Sequence, residues 1–170
     1  MDLHPCECGE ADFERNSSVI EYEGDLASRY VGVCSACGRP REFLFAIPAE
    51  VTLPPPGSVI FGVDIPSELL DPGEWLWVAD RYARVAPAKT TPGTEAARVA
   101  RQQVATAAAA MDEVLKFIPD GEDMVSYEAL RTERGRSVYD EQPGRFYRDR
   151  LEVVRDTYRQ IVAELDGAKP

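Results

Sequence analysis

The sequence predicts an α+β protein, a small antiparallel β module followed by an α-helical bundle. Three observations carry this prediction. All four cysteines fall in two close pairs within the first forty residues, Cys6-Glu7-Cys8-Gly9 and Cys34-Ser35-Ala36-Cys37-Gly38, on either side of a β-prone stretch. Prolines crowd residues 48–57, where neither a helix nor a sheet ladder continues because proline lacks the amide donor. From Asp71 onward, apolar residues recur every three or four positions, the period of a helix with one buried face. The expected organisation is a β module over 1–47, a connector over 48–57 and a mainly helical domain over 58–170.

Taken in order, Val19 to Tyr22 and Arg29 to Val33 are β-prone runs parted by a Gly24-Asp25 turn signal, which reads as a hairpin leading into the second cysteine pair. Arg41 to Ile47 is a third strand candidate. Ser58 to Val63, short and β-branched, is a candidate for a fourth. Asp71-Pro72-Gly73-Glu74 then combines an N-cap acceptor, proline at the first helical position and glutamate at the third, a form of capping box. Trp75, Leu76, Val78, Ala79, Tyr82 and Val85 line one face of the helix it opens, with Trp77 pointing elsewhere. Thr91-Pro92-Gly93 opens the longest helix, to about Phe117, along Ala96, Ala100, Val104, Ala107, Met111, Leu115 and Ile118. Its alanine-rich middle raises helix propensity and permits close packing. Pro119 to Asp123 is an acidic loop, Ser126 caps a short helix through Arg134, and Gly135 is expected to stop it. Gln142-Pro143-Gly144 opens the last helix, striped by Tyr147, Leu151, Val154, Tyr158, Ile161 and Leu165 and ended by Gly167.

The chain of 170 residues carries 30 acids against 19 bases, a formal net charge of −11. Such a field repels nucleic-acid phosphates and anionic membranes and favours encounter with basic proteins. The charge is uneven. Residues 1–50 hold ten acids and four bases, with Glu21, Glu23 and Asp25 clustered on the hairpin. Residues 131–159 hold eight arginines against six acids, but Arg148, Glu152 and Arg155 alternate in sign at helical spacing, as a solvated face does. The first residues show no secretory pattern and no run reaches the length of a membrane span, so a cytoplasmic location is expected.

In a reducing compartment, paired cysteines indicate a metal more often than disulfides. Thiolates two or three positions apart bind one tetrahedral ion, and a glycine after each pair lets the backbone curl its amides toward the sulfurs. Cys6, Cys8, Cys34 and Cys37 are therefore the expected ligands of one structural Zn2+, with redox pairs or unrelated core thiols as the alternative. On these four cysteines with Gly9 and Gly38, residues 4–47 resemble the zinc-ribbon class, in which two cysteine knuckles on β-hairpins clasp one zinc ion. The first pair departs from that pattern, with one intervening residue where the usual knuckle has two. That leaves room for His4 to compete as a ligand.

Zinc-ribbon resemblance does not choose a function. His4 is the only histidine, so no histidine-based triad or general base can be assembled in the helical part. Neither a phosphate-binding glycine loop nor a dinucleotide fingerprint is present, and the carboxylate pairs Asp112-Glu113 and Glu122-Asp123 are only adjacent in sequence. The sequence reads as no enzyme and names no small-molecule substrate. The expectation is an acidic protein-binding module, such as an inhibitor of the immunity type or an adaptor for a basic partner. Glu21, Tyr22, Glu23, Asp25 and Trp77 are its candidate contact residues. The rival is a nucleic-acid-associated zinc-ribbon protein using the arginines of the last helix. An enzyme whose carboxylates meet only in the fold is a third reading.

Overall fold

A computed structural model describes residues 4–48, 53–55, 57–62, 64–87, 90–91 and 93–167. The architecture is α+β: a three-stranded antiparallel sheet precedes four helices. The chain divides into two compact units, Met1–Leu53 and Pro54–Pro170.

The first unit is a meander in the order β1-β2-β3, with β1 at Phe13–Tyr22, β2 at Asp25–Cys34 and β3 at Pro40–Ala46. Both hairpin strands are longer than their β-prone cores, and the turn sits one residue earlier than the Gly24-Asp25 signal suggests. Tyr22 pairs with Asp25, so Glu23 and Gly24 form a two-residue turn, both at positive φ (54° and 94°). That geometry matches the right-handed twist of the strands it joins. At the other end of the hairpin Phe13 pairs with Cys34. One sheet face stacks Phe13 on Phe43 (5.5 Å) and Tyr30 against Phe45 (5.7 Å). Gly32 lies beside Phe13, where a Cβ would overlap the Glu14 carbonyl. Among the described residues of this unit only Cys6, Phe13, Ala27 and Cys34 are buried.

The second unit begins with an irregular stretch. The expected fourth strand is not formed over 58–62, and Val63 lies outside the described residues. Phe61 instead lays its ring on Trp75 at 4.9 Å, so the apolar run covers a helix rather than extending a sheet. The helices are α1 at Pro72–Val85, α2 at Glu95–Leu115, α3 at Glu133–Glu141 and α4 at Arg148–Gly167. The capping box at Asp71 and Glu74 is formed. Thr94, not Thr91, caps α2, and Pro92 lies outside the described residues.

Helix α2 packs against both α1 and α4, and α1 also meets α3. Every residue from Val104 to Met111 is accordingly buried, and the alanines let two neighbours approach one helix closely. At its start the buried position is Ala97, whereas Ala96 is exposed, a one-residue correction to the expected stripe. The core joins Trp75, Leu76 and Ala79 with Met111, Val114, Ile118, Val125, Leu130, Phe146 and Leu151.

The expected helix from Ser126 to Arg134 is not formed. Ser126 caps a single 3-10 turn, Tyr127–Ala129, after which the chain leaves the helical path. The amides of Arg131 and Thr132 turn instead onto the buried Asp71 carboxylate, 2.9 and 2.8 Å away. Thr132 then caps α3, and Gly135 lies inside that helix rather than ending anything. Its lack of a side chain serves close approach: a Cβ there would strike the Asp71 carboxylate, and one on Gly73 would strike the Gly135 backbone. Likewise Gln142-Pro143-Gly144 does not open the last helix directly. Pro143–Phe146 is a 3-10 turn that buries Phe146, and α4 starts after Tyr147.

Candidate metal centre

Two turns bring the cysteines together at the open end of the β1–β2 hairpin. In the first, the Gly9 amide donates to the Cys6 carbonyl (2.7 Å) and the Cys6 amide to the Glu10 carbonyl (2.8 Å). In the second, the Gly38 amide donates to the Cys34 carbonyl and the Cys34 amide to the Arg39 carbonyl, both at 2.9 Å. Gly9 and Gly38 take φ of 90° and 69°, which glycine adopts without steric cost. The first turn closes over three residues and the second over four, which is how a Cys-x-Cys pair faces a Cys-x-x-Cys pair.

The four cysteines are free thiols, two buried (Cys6 and Cys34) and two exposed (Cys8 and Cys37). Cys6 Sγ is 3.6 Å from Cys37 Sγ and Cys8 Sγ is 3.6 Å from Cys34 Sγ, and all four sulfurs lie within 4.8 Å of one another. A tetrahedral ion with metal–sulfur bonds of about 2.3 Å has sulfur–sulfur edges of about 3.8 Å, so this cluster could hold one metal ion. His4 is exposed and stands outside the group.

Electrostatics favour a cation there. The Cys37 amide, opposed by burial and aided by the Ala36 amide, holds the Cys34 thiol down to about 7. Cys37 receives the Arg39 amide, yet the thiols of Cys8, Cys34 and Cys6 and burial push it up to about 11. Thiolate charges packed this closely repel one another unless a positive charge sits among them.

Residues the sequence did not single out brace the two turns. Arg39 pairs with Glu7, tying one cysteine turn to the other. Arg41 donates to the carbonyls of Ala11 (3.1 Å) and His4, and its guanidinium lies 4.8 Å from the Phe13 ring centroid and 5.0 Å from that of Phe43. The alternation Arg41, Phe43, Phe45 along β3 was the available signal, because period two puts all three on one face.

The other candidate residues separate into different places. Glu21, Tyr22, Glu23 and Asp25 are all exposed and share the hairpin tip, at the opposite end of β1 and β2 from the cysteines. Val19 (62% exposed) and Leu26 (56%) accompany them. Trp77 belongs to α1 in the second unit, partly buried, with the guanidiniums of Arg134 (4.6 Å) and Arg81 (5.3 Å) over its ring. The arginines of the C-terminal region are largely committed within the unit. Arg145 forms a two-pronged pair with Asp80, Arg155 and Arg159 hold Asp112, and Arg148 donates to the Glu122 carbonyl. Of the adjacent carboxylates, Asp112 faces α4 while Glu113 is buried against Lys116. Burial raises the Glu113 carboxyl above its ordinary value, with the Lys116 ammonium opposing.

The chain matches no protein-family model, no curated protein and no solved structure, so its chemistry is argued from its own geometry. No described helix is long and apolar enough to cross a membrane.

Proposed function

We propose that this chain is a non-catalytic protein-binding module, stapled by one structural zinc ion and docking through its hairpin tip onto a basic partner. An inhibitor of the immunity type or an adaptor is the role that suits it. The observation that carries the reading is the chemistry of that tip. Val19 and Leu26 stand exposed with Glu21 on one face of the tip and Tyr22 with Asp25 on the other, with Glu23 in the turn between them. Exposed apolar and aromatic side chains rimmed by charge of one sign are what an interface uses, the ring for residence time and the charge for encounter rate.

Zinc is favoured because four thiolates complete its tetrahedral shell and leave no open position for water or substrate. A unit in which four of the described residues are buried needs such a staple, since burial alone stabilises it little. The nucleic-acid alternative has less to draw on, because three of its arginines, Arg145, Arg155 and Arg159, already hold Asp80 and Asp112.

The test is photo-crosslinking from position 22 in the native host, followed by affinity measurement with the purified captured protein. A basic protein whose binding weakens at least about tenfold with the triple reversal Glu21→Lys, Glu23→Lys, Asp25→Lys supports the reading. Loss on Arg148→Glu with Arg155→Glu instead, or capture of nucleic acid, would overturn it.

A further inference from the structure

In the helical unit an open groove of about 520 Å³ runs between α1 and α3, lined by Trp77, Arg81, Arg84, Val138, Glu141 and Arg145 among others. Its size lies within the range of small-molecule sites, roughly 300–1,000 Å³. Its charge runs against that of the chain. Arg145 is neutralised by Asp80. Arg81 and Arg84, by contrast, form no ion pair among the described residues, and the one remaining carboxylate of the lining is Glu141.

The manner in which those arginines are held matters more than their number. Arg134 and Arg81 stack on the Trp77 indole at 4.6 and 5.3 Å. A guanidinium laid on a ring keeps its N–H donors at its edge, free to grip two oxygens at once, and has already lost much of the side-chain freedom that binding would otherwise remove. Arg84 follows Arg81 by three residues on α1 and so projects on the same side of the helix. Val138 and the indole add an apolar wall, so the site suits an anion with an organic body better than a bare ion.

We propose that this groove binds a small organic oxyanion, a phosphate ester or a carboxylate, through Arg81 and Arg84 beside Trp77. This site is independent of the hairpin tip and takes a ligand of the opposite charge.

Tryptophan fluorescence of the full-length protein reports on it, because Trp77 sits against Arg81 while Trp75 is buried. AMP and citrate are the probes, with isothermal titration as a second readout. The proposal expects saturable binding of at least one of them below about 1 mM, weakened at least about tenfold by Arg84→Glu and by Arg81→Gln. The exposed Arg98→Glu, which changes net charge as much as Arg84→Glu, should leave binding within about twofold. Preference for AMP assigns a phosphate ester and preference for citrate a carboxylate. Absence of saturable binding by either probe, or equal weakening by Arg98→Glu and Arg84→Glu, overturns the proposal.

Discussion

Replacing Asp71 by alanine should weaken the helical unit more than any other single polar change. The side chain is fully buried and joins two helix starts. Its carboxylate accepts from the Glu74 amide (2.9 Å), the Arg131 amide (2.9 Å), and the Thr132 amide and hydroxyl (both 2.8 Å). Losing the N-cap bond costs about 1 kcal/mol. Each of the two amides from 131–132 loses a charged acceptor, and a stranded donor costs about 1–3 kcal/mol; the low end applies because Arg131 is exposed and Thr132 half-buried, unlike Asp71 itself. The hydroxyl can rotate to another acceptor. The sum is about 3 kcal/mol, a large share of the 5–15 kcal/mol that holds an ordinary domain. With a urea slope of about 2 kcal/mol per molar, the midpoint should fall by about 1.5 M. Tryptophan fluorescence isolates the transition of this unit, since both tryptophans lie on α1. Thr132→Ala should cost less in the Asp71→Ala background than alone, because the two share bonds. A midpoint shift below about 0.3 M, or strict additivity with Thr132→Ala, would refute the hub.

Three further outcomes are expected. Cys34→Ser or Cys37→Ser should abolish binding of the single metal ion and unfold the β unit, since metal binding to such sites supplies about 10 kcal/mol or more; metal analysis with circular dichroism checks it, and a folded, metal-free variant would contradict the staple. Leu151→Asp should cost more than about 4 kcal/mol because the site is 1% exposed, while Val153→Asp, at 66% exposure, should stay within about 0.5 kcal/mol; equal melting temperatures would show the buried face of α4 misassigned. Asp166 is hydrogen-bonded to Arg101, which holds its carboxyl below the ordinary 3.8 against slight desolvation. Its contribution is present above that value and lost as pH falls through the lower folded-state value, so Asp166→Asn should flatten the acid limb of stability, by a small amount because the pair is solvated.

The sequence by itself determined the class of fold, the hairpin, the capping box at Asp71 and the four cysteines as a candidate metal cluster. Each is a local signal: strand period, a cap three residues from its partner, thiols at chelating distance along the chain. What only the tertiary structure decided depends on residues far apart in sequence. Gly135 reads as a helix stop until Asp71 and Gly73 arrive against it from sixty residues away. Residues 58–62 read as a strand until Phe61 finds Trp75, because a short apolar run suits either a sheet or a helix surface. Trp77 and the hairpin acids read as one contact surface, but its indole carries two guanidiniums over its ring and belongs to a different unit. Arg145, Arg155 and Arg159 read as phosphate contacts or as a solvated helix face until Asp80 and Asp112 meet them. The physical reason is common to all four cases. Backbone preference is set by neighbours along the chain, whereas the partner that satisfies a buried carboxylate, a ring or a guanidinium is chosen by packing, which brings together residues the sequence keeps apart.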